Sequence, residues 1–495
     1  MKMVKSLLLG TAAGFVAVAG AQAADMPVKA QPVQYVKICT LYGDGFYYIP
    51  GTDICLKLGG YIRAEYGWGT PNGAASLTQG PWQAPNGNGT RTDGQDWTMR
   101  SRAYIWMDSR QQTEYGTLRA YFQLGVNYDS PQATTTSFSA NRAFIQFAGF
   151  TVGTAQSFYD FYSVPATSYI PMFGASDTGD PGWKVIAYTA QFGNGVSGTV
   201  SLEEARNFGS TTPIGGIANT NLGNFALGTA SIDSDRAKER FPDIVSNWRV
   251  DQAWGSAQVM FAAHDASGGY YGTTLTGSEV FGHPADKLGW AAGAGIKLNT
   301  FGGDYFQFQA NYTQGAIRYA IATQGGAMNP YQFQGNQLGY GFFTDGVYSV
   351  ATGDVQLTTA VGINAAYDHF WRPDLRTSLY GAYLSVRYND VANAALCSAQ
   401  TTTGSGLLNF AAAGATGVGS CNNNFNWWVI GSRTQWNITP WFYVGFDVAY
   451  MKLQTASAGA VALVGATGAK PTQLYSIQDQ DSWQFRVRFH RDIVP

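Results

Sequence analysis

The stretch WQFRVRFH, residues 483–490, alternates strictly between apolar and polar side chains. A period of two places successive side chains on opposite faces of a β-strand, so this stretch predicts a strand with one apolar and one strongly polar face. The stretch FQFQANYT, residues 306–313, repeats the pattern, and similar segments recur along nearly the whole chain. In a membrane β-barrel, lipid contacts the apolar face and a water-filled interior contacts the polar face. The alternation therefore predicts an all-β transmembrane barrel.

The composition and the first residues fit an exported membrane protein. Only 13% of the 495 residues are charged, about half of the ~25% that is usual in globular chains. Residues 1–23 have the basic start, apolar centre and small-residue end of a secretory signal peptide, which we expect to be cleaved. No later apolar run is long enough for a spanning helix, so strands are the remaining way to cross a membrane. The net charge of −2 gives no reason to expect nucleic acid as a partner.

Short turn sequences give the number of strands. Gly, Asn or Pro mark seven of them between alternating segments, at 114–116, 148–150, 192–195, 253–255, 300–303, 370–374 and 438–440. Seven hairpins and two flanking strands, 54–68 and 481–491, predict a 16-stranded antiparallel barrel with short periplasmic turns and long extracellular loops. Residues 24–53 would form an N-terminal lead segment and residues 54–495 the barrel. A soluble β-sandwich or β-helix is the alternative, but it would expose a large apolar belt to water.

The four cysteines form an even set in an exported chain, which permits disulfides. Cys39 and Cys55 bracket one irregular segment, and Cys397 and Cys421 bracket another. We predict that these near neighbours pair, although the sequence leaves other pairings open. The spacing typical of His–Cys metal sites is missing, so the sequence predicts neither a metal site nor a cofactor.

Arginines recur on the polar faces of the first four predicted strands: Arg63, Arg100, Arg102, Arg119 and Arg142. Adjacent strands lie ~4.8 Å apart, so these side chains should form one basic wall inside the barrel. A guanidinium is charged at any working pH, so the wall would act as a fixed field on passing ions.

The segment 160–183, after the fifth predicted strand, is too irregular for a strand and contains Asp160, Asp177 and Asp180. We expect it to fold into the lumen, narrow the pore and place its carboxylates opposite the basic wall. The alternative is that these carboxylates are solvated loop groups and that the arginines pair locally.

Aromatic side chains cluster near the predicted strand ends: Trp427, Trp428, Trp436, Trp441, Phe442, Tyr443, Tyr450 and Trp483. Such positions favour girdles at the two membrane interfaces over a sugar-binding track inside the pore. The four histidines lie in none of the motifs that mark hydrolases, so no enzyme is predicted.

Three stretches carry a family resemblance: GDGFYYIPGTDICLKLGGYIRAEY (43–66), RSRAYIWMDSRQQTEYGTLRAYFQL (100–124) and NRAFIQFAGFTVGTAQSFYDF (141–161). In these stretches the chain resembles the general porins of Alphaproteobacteria. The resemblance implies a homotrimer in the Gram-negative outer membrane, in which a third loop narrows each 16-stranded pore. It points to the five arginines as wall residues and to 160–183 as that loop.

The sequence leaves three functions open. The first is a porin for passive diffusion of ions and small hydrophilic solutes, surrounded by outer-membrane lipid. The second is a substrate-selective outer-membrane channel with a sugar-type binding site. The third is a structural or adhesive barrel without an open lumen.

Overall fold

Sixteen strands close into one antiparallel barrel in the computed structural model of this chain. The structure describes residues 37–70, 96–129, 137–161, 166–170, 174, 176–179, 182–206, 216–221, 225–226, 231–232, 240–272, 278–321, 330–401, 408–466 and 469–494. The strands are β1 Cys55–Thr70, β2 Trp97–Thr113, β3 Gly116–Asp129, β4 Ser137–Phe147, β5 Phe150–Ala155, β6 Trp183–Gly193, β7 Val196–Glu203, β8 Asp243–Gln252, β9 Gly255–Asp265, β10 Leu288–Asn299, β11 Tyr305–Gln314, β12 Thr359–Arg372, β13 Leu375–Arg387, β14 Phe425–Thr439, β15 Phe442–Gln454 and β16 Gln480–Val494.

Each strand pairs with its neighbours along the chain, and β16 closes the barrel on β1, with Phe489 opposite Ala64. The seven predicted turns lie between the strands of the seven predicted hairpins. At Asn194-Gly195 both residues have positive φ, as a tight hairpin turn with the right twist requires. The predicted strand number and the turn positions are confirmed, with strand ends that differ by a few residues.

The two faces of the wall follow the predicted alternation. In β1, Ile62 is 56% exposed on the outside, whereas Glu65 is 1% exposed on the inside. In β11, Gln307 and Gln309 point inward and are buried, while Phe308 lies on the outer face. The outer face is therefore the apolar one throughout these strands, as lipid contact demands.

The described parts of the long loops contain secondary structure that the sequence analysis did not predict. Two small sheets and a hairpin form outside the barrel wall: Tyr331–Gln334, Gln337–Tyr340, Gln473–Ile477, Val461–Val464 and Leu408–Asn409; Gly216–Asn219, Thr344–Tyr348 and Gln356–Leu357; Phe225–Ala226 and Ser231–Ile232. A helix, α1, spans Asp390–Thr401, and short 3-10 turns lie at Thr40–Tyr42, Ser278–Phe281, Phe301–Gly303, Ile317–Tyr319 and Gly417–Gly419. Within the described ranges, no helix is long and apolar enough to cross a membrane.

One apolar cluster joins the loops to the barrel interior. Leu338 and Phe342 of the sixth loop, 315–358, and Tyr475 of the eighth loop, 455–479, pack in this cluster. The same cluster includes the inward-facing Tyr380 of β13 and Trp427 of β14. Loop side chains therefore pack against the inward faces of β13 and β14.

Both predicted disulfides are confirmed. Cys39 pairs with Cys55 and Cys397 pairs with Cys421, with Cα–Cα distances of 6.0 and 5.9 Å. The second disulfide joins α1 to the residues just before β14, within the loop between β13 and β14.

The aromatic girdle is confirmed only in part. Trp428, Tyr450 and Trp483 lie on the outer face. The ring centre of Tyr450 is 5.4 Å from that of Trp428 and 5.0 Å from that of Trp483. Trp427 instead points inward and is buried, and Tyr443 stacks on the inward-facing His490 at 4.7 Å. Aromatic residues next to each other in sequence must face opposite sides of a strand, so the cluster could not all belong to one girdle.

Candidate pore lining and constriction

The third long loop, residues 156–182 and called L3 here, folds into the barrel as predicted. Its tip is held by Asp447 of β15, which is fully buried. The Asp447 carboxylate accepts hydrogen bonds from the backbone N–H groups of Tyr169 and Ile170 at 2.5 and 3.1 Å, and from the Tyr380 hydroxyl at 2.6 Å. Two adjacent amides donating to one carboxylate oxygen fix the direction of the loop backbone as well as its position.

Further side chains of the same wall hold the preceding residues of L3. Arg433 of β14 donates to the Ala166 carbonyl at 2.7 Å, and Ser378 of β13 donates to the Thr167 carbonyl. Arg486 of β16 donates to the Tyr169 carbonyl. L3 leaves β5 and its tip lies against β13–β16, so it crosses the lumen rather than lying over the rim.

The root of L3 is held by a buried ion pair. Arg206, which follows β7, contacts the Asp160 carboxylate at 2.9 Å, and neither side chain is exposed. Asp160 also accepts from the Ser176 and Thr178 hydroxyls at 2.9 and 2.6 Å. Burial lowers the pKa of Arg206, but Asp160, Tyr319 and Glu203 together outweigh it and hold that pKa above its ordinary value.

The predicted position of the L3 carboxylates differs from what the structure shows. Asp160 lies against Arg206 rather than opposite the arginine wall, and Asp177 is buried, accepting from the Gly179 N–H at 2.7 Å. Asp180 lies outside the described residues. Strand alternation assigns faces only within strands, so it gave no way to place Arg206 in its loop.

The predicted arginines all lie on the inward faces of β1–β4, and their contacts divide them into two groups. In the first group, the arginines donate hydrogen bonds to uncharged acceptors or to a histidine. Arg63 donates to His490 Nδ1 at 3.3 Å, and Arg102, directly opposite Arg63, donates to Asn127 Oδ1 at 2.5 Å. Arg142 donates to the Gly179 carbonyl at 3.1 Å and so touches the end of L3.

In the second group, the arginines pair with carboxylates. Arg100 is buried and contacts Asp129 at 2.6 Å. Arg119 contacts Asp108 at 2.9 Å, and Arg110 contacts the same carboxylate at 2.8 Å. Two guanidiniums on one carboxylate leave a net positive charge at this point of the wall.

The sequence reasoning missed the basic residues that continue this wall beyond β1. Arg488 of β16 contacts Glu65 of β1 at 2.6 Å, and its guanidinium lies 4.0 Å from the centre of the Tyr169 ring in L3. Arg486 and Arg433 complete the surface on which the L3 tip rests. The alternation in 483–490 already assigned Arg486 and Arg488 to the polar face, and pairing β16 with β1 would have added them to the wall.

Comparison with known proteins decides the family. The family described as "Porin subfamily" matches residues 25–485 of the chain. The chain belongs to this porin family.

Individual relatives agree with the assignment to this porin family. Porin Omp2b of Brucella suis is 29% identical over 344 residues, which is 66% of this chain and 83% of that protein. Porin Omp2a of Brucella melitensis is 33% identical over 226 residues, 41% of this chain and 56% of that protein. The solved outer-membrane channel DcaP of Acinetobacter baumannii superposes with a TM-score of 0.52 at 12% identity, covering 90% of this chain and 99% of that one. A likeness at such low identity concerns the fold alone.

The porin is thus an outer-membrane channel of a Gram-negative bacterium, and it forms a water-filled path for passive diffusion of ions and small hydrophilic solutes.

Proposed function

We propose that solutes cross this porin between L3 and the inward faces of β1–β4, and that Arg63, Arg100, Arg102, Arg119 and Arg142 line the route. The observation that carries the proposal is the uneven attachment of L3. Its tip bonds to wall residues of β13–β16, whereas on the arginine side Arg142 holds the returning part of L3 at the Gly179 carbonyl. A loop seated on one side leaves the free cross-section on the other.

The route favours anions. Basic side chains outnumber acidic ones on the inward faces of β1–β4 and β16: Lys57, Arg63, Arg100, Arg102, Arg110, Arg119, Arg142, Arg486 and Arg488 against Glu65, Asp108, Asp129 and Asp492. A pore lined by one sign of charge with low-dielectric walls concentrates ions of the opposite sign. The porin acts on its solutes by diffusion alone, without a catalytic step.

Reversal potentials across a salt gradient test this proposal. Arg63→Ala and Arg102→Ala should each shift selectivity toward cations, because each removes a positive charge from the route. Lys184→Ala is the matched control, since Lys184 is 69% exposed on the outer side of β6. Equal shifts in the control and in the two arginine variants would contradict the route.

The size limit of this route is set by L3. Deleting Pro171 to Asp180 should raise single-channel conductance while the oligomer still forms. An oligomer that falls apart with unchanged conductance per pore would contradict this role and make L3 a seal between subunits.

The porin works as a homotrimer whose contacts lie on the outer faces of β1–β3. Small side chains, among them Ser101, Ala103 and Ala120, lie between larger ones on these outer faces. A neighbouring barrel wall can therefore approach closely. Ala103→Trp should weaken the oligomer in native electrophoresis. Ala294→Trp, an equivalent change on the outer face of β10, should leave it intact; if both variants behave alike, this contact face is wrong.

The mature chain begins near residue 24, after cleavage of the signal peptide. Residues 24–53 then form an N-terminal lead segment, and residues 54–495 form the barrel, with outer-membrane lipid against its apolar face. N-terminal sequencing of the protein from outer membranes tests the cleavage site.

A further inference from the structure

The residues before β1 form a small hairpin closed by a disulfide. Ile38 bridges to Tyr47, the Cys39 N–H donates to the Phe46 carbonyl at 2.9 Å, and Tyr47–Tyr48 pairs with the start of β1. The Cys39–Cys55 disulfide joins the hairpin to β1. This hairpin, residues 37–54, lies at the end of the barrel that carries the short turns, which is the periplasmic end.

The turn of the hairpin lies on the lumen side of the wall. The Phe46 ring is 4.9 Å from the Arg110 guanidinium and 5.9 Å from Lys57 Nζ, measured to the ring centre. Lys57 Nζ also donates to the Asp44 carbonyl at 2.8 Å. Lys57 of β1 and Arg110 of β2 both face inward. A turn that contacts both side chains must therefore lie partly across the periplasmic opening of the barrel.

This position is on the same side of the barrel as the arginine route. Lys57 lies opposite Asp108 in the β1–β2 register, and Asp108 pairs with both Arg110 and Arg119. A solute that passes Arg119 toward the periplasm therefore meets the hairpin next.

A small buried core, a close glycine turn and a disulfide hold the hairpin against the barrel wall. Cys39, Phe46 and Cys55 are buried in a small core of their own, at 0%, 5% and 1% exposure. Gly45 has a φ of +82°, and a Cβ there would come within 3.0 Å of the Lys57 side chain, so the turn approaches the wall as closely as a glycine allows. The disulfide also removes the extended alternatives that the segment would otherwise sample.

We propose that residues 37–54 are a second size filter of this porin, placed at the periplasmic exit below the L3 constriction. The inference rests on the proposed arginine route, because the hairpin lies at the periplasmic end of that side of the lumen. The hairpin covers Lys57 and Arg110 with a ring and a carbonyl but leaves their charges in place, so this exit adds selection by size to the anion preference of the route.

Polymer exclusion in planar bilayers tests the filter. A neutral polyethylene glycol that enters one mouth displaces electrolyte and lowers the conductance, even when it cannot pass L3. In the double variant Cys39→Ser/Cys55→Ser, polymers that the unaltered porin excludes from the periplasmic side should enter and lower the conductance. The size limit measured from the extracellular side should stay as it was.

The matched control is the double variant Cys397→Ser/Cys421→Ser, which opens the other disulfide in an extracellular loop. It should leave the periplasmic size limit unchanged. An unchanged limit in Cys39→Ser/Cys55→Ser, or an equal change in both double variants, would overturn the filter. If the first variant does not assemble, Phe46→Ala keeps both disulfides and removes the ring over Arg110; an unchanged periplasmic limit in it would equally overturn the filter.

The same bilayers separate this inference from the proposed route. A selectivity shift in Arg102→Ala, together with an unchanged polymer limit in the hairpin variants, would overturn the filter and leave the route standing. A changed polymer limit without any selectivity shift in Arg102→Ala would overturn the route while the hairpin still filters by size.

Discussion

The two sides of the barrel interior have the same strand alternation but different surroundings. On the arginine side, the inward faces of β1–β4, side chains such as Arg63, Arg102 and Gln123 remain partly accessible. On the covered side, the inward faces of β11–β15, Gln309 and Asp447 are fully buried. L3 and the sixth and eighth loops pack against this second side. Alternation decides which side chains face the lumen, but the loops decide which of them meet water.

The largest expected effect is at the root of L3, where the loop begins its path to the covered side. Arg206→Met leaves the Asp160 carboxylate buried without its cation, and breaking a buried pair in this way costs about 3–5 kcal/mol. Thermal unfolding of the barrel should reveal this loss.

The exposed pair of Lys184 and Glu204, 2.7 Å apart, supplies the control for Arg206→Met. Lys184→Ala should change the stability by no more than about 1 kcal/mol, because exposed pairs contribute little. Equal losses in the two variants would mean that Arg206 does not anchor L3.

The outer face is apolar on both sides of the barrel, against lipid on β11 and against the proposed neighbouring subunit on β1–β3. Phe308→Arg on β11 places a charge against lipid, at a cost of about 2–4 kcal/mol near the midplane and less toward the interfaces. Outer-membrane yield and heat-resistant mobility in electrophoresis measure the defect. Normal assembly of Phe308→Arg would show that this residue is not on the lipid face.

A matched pair of glutamines tests the difference between the sides directly. Gln307 is 2% exposed beneath Thr167 of L3, whereas Gln123 faces the open side. Gln307→Arg overpacks a filled site, which costs about 1–3 kcal/mol, and should unseat L3 and make the single-channel current noisier. Gln123→Arg should assemble normally and strengthen anion preference. If both variants assemble normally and neither has a noisier single-channel current, the claim that loops cover only one side of the interior would be contradicted.

The sequence was sufficient to predict the barrel because side chains along a strand alternate between its two faces with a period of two. The alternation in 483–490 assigned these eight side chains to the correct faces of β16, and turn residues such as Asn194-Gly195 separated the strands. The near-neighbour pairing of the cysteines, one of the pairings that the sequence left open, is also confirmed. The covered side could not be predicted, because loop residues have no period: neither Arg206 against Asp160 nor Phe342 against the wall follows from sequence spacing. The buried Trp427 shows the same limit, since an inward aromatic can face either water or a packed loop.

Accessibility of single cysteines inside the barrel tests the account most directly. The chain's four cysteines are all in disulfides, so an introduced thiol reacts against a clean background. Arg102→Cys on the arginine side and Gln309→Cys on the covered side are compared during current recording with a charged methanethiosulfonate reagent. The account predicts a stepwise change of current in Arg102→Cys and none in Gln309→Cys. Equally fast reaction at both positions would contradict a route confined to the arginine side.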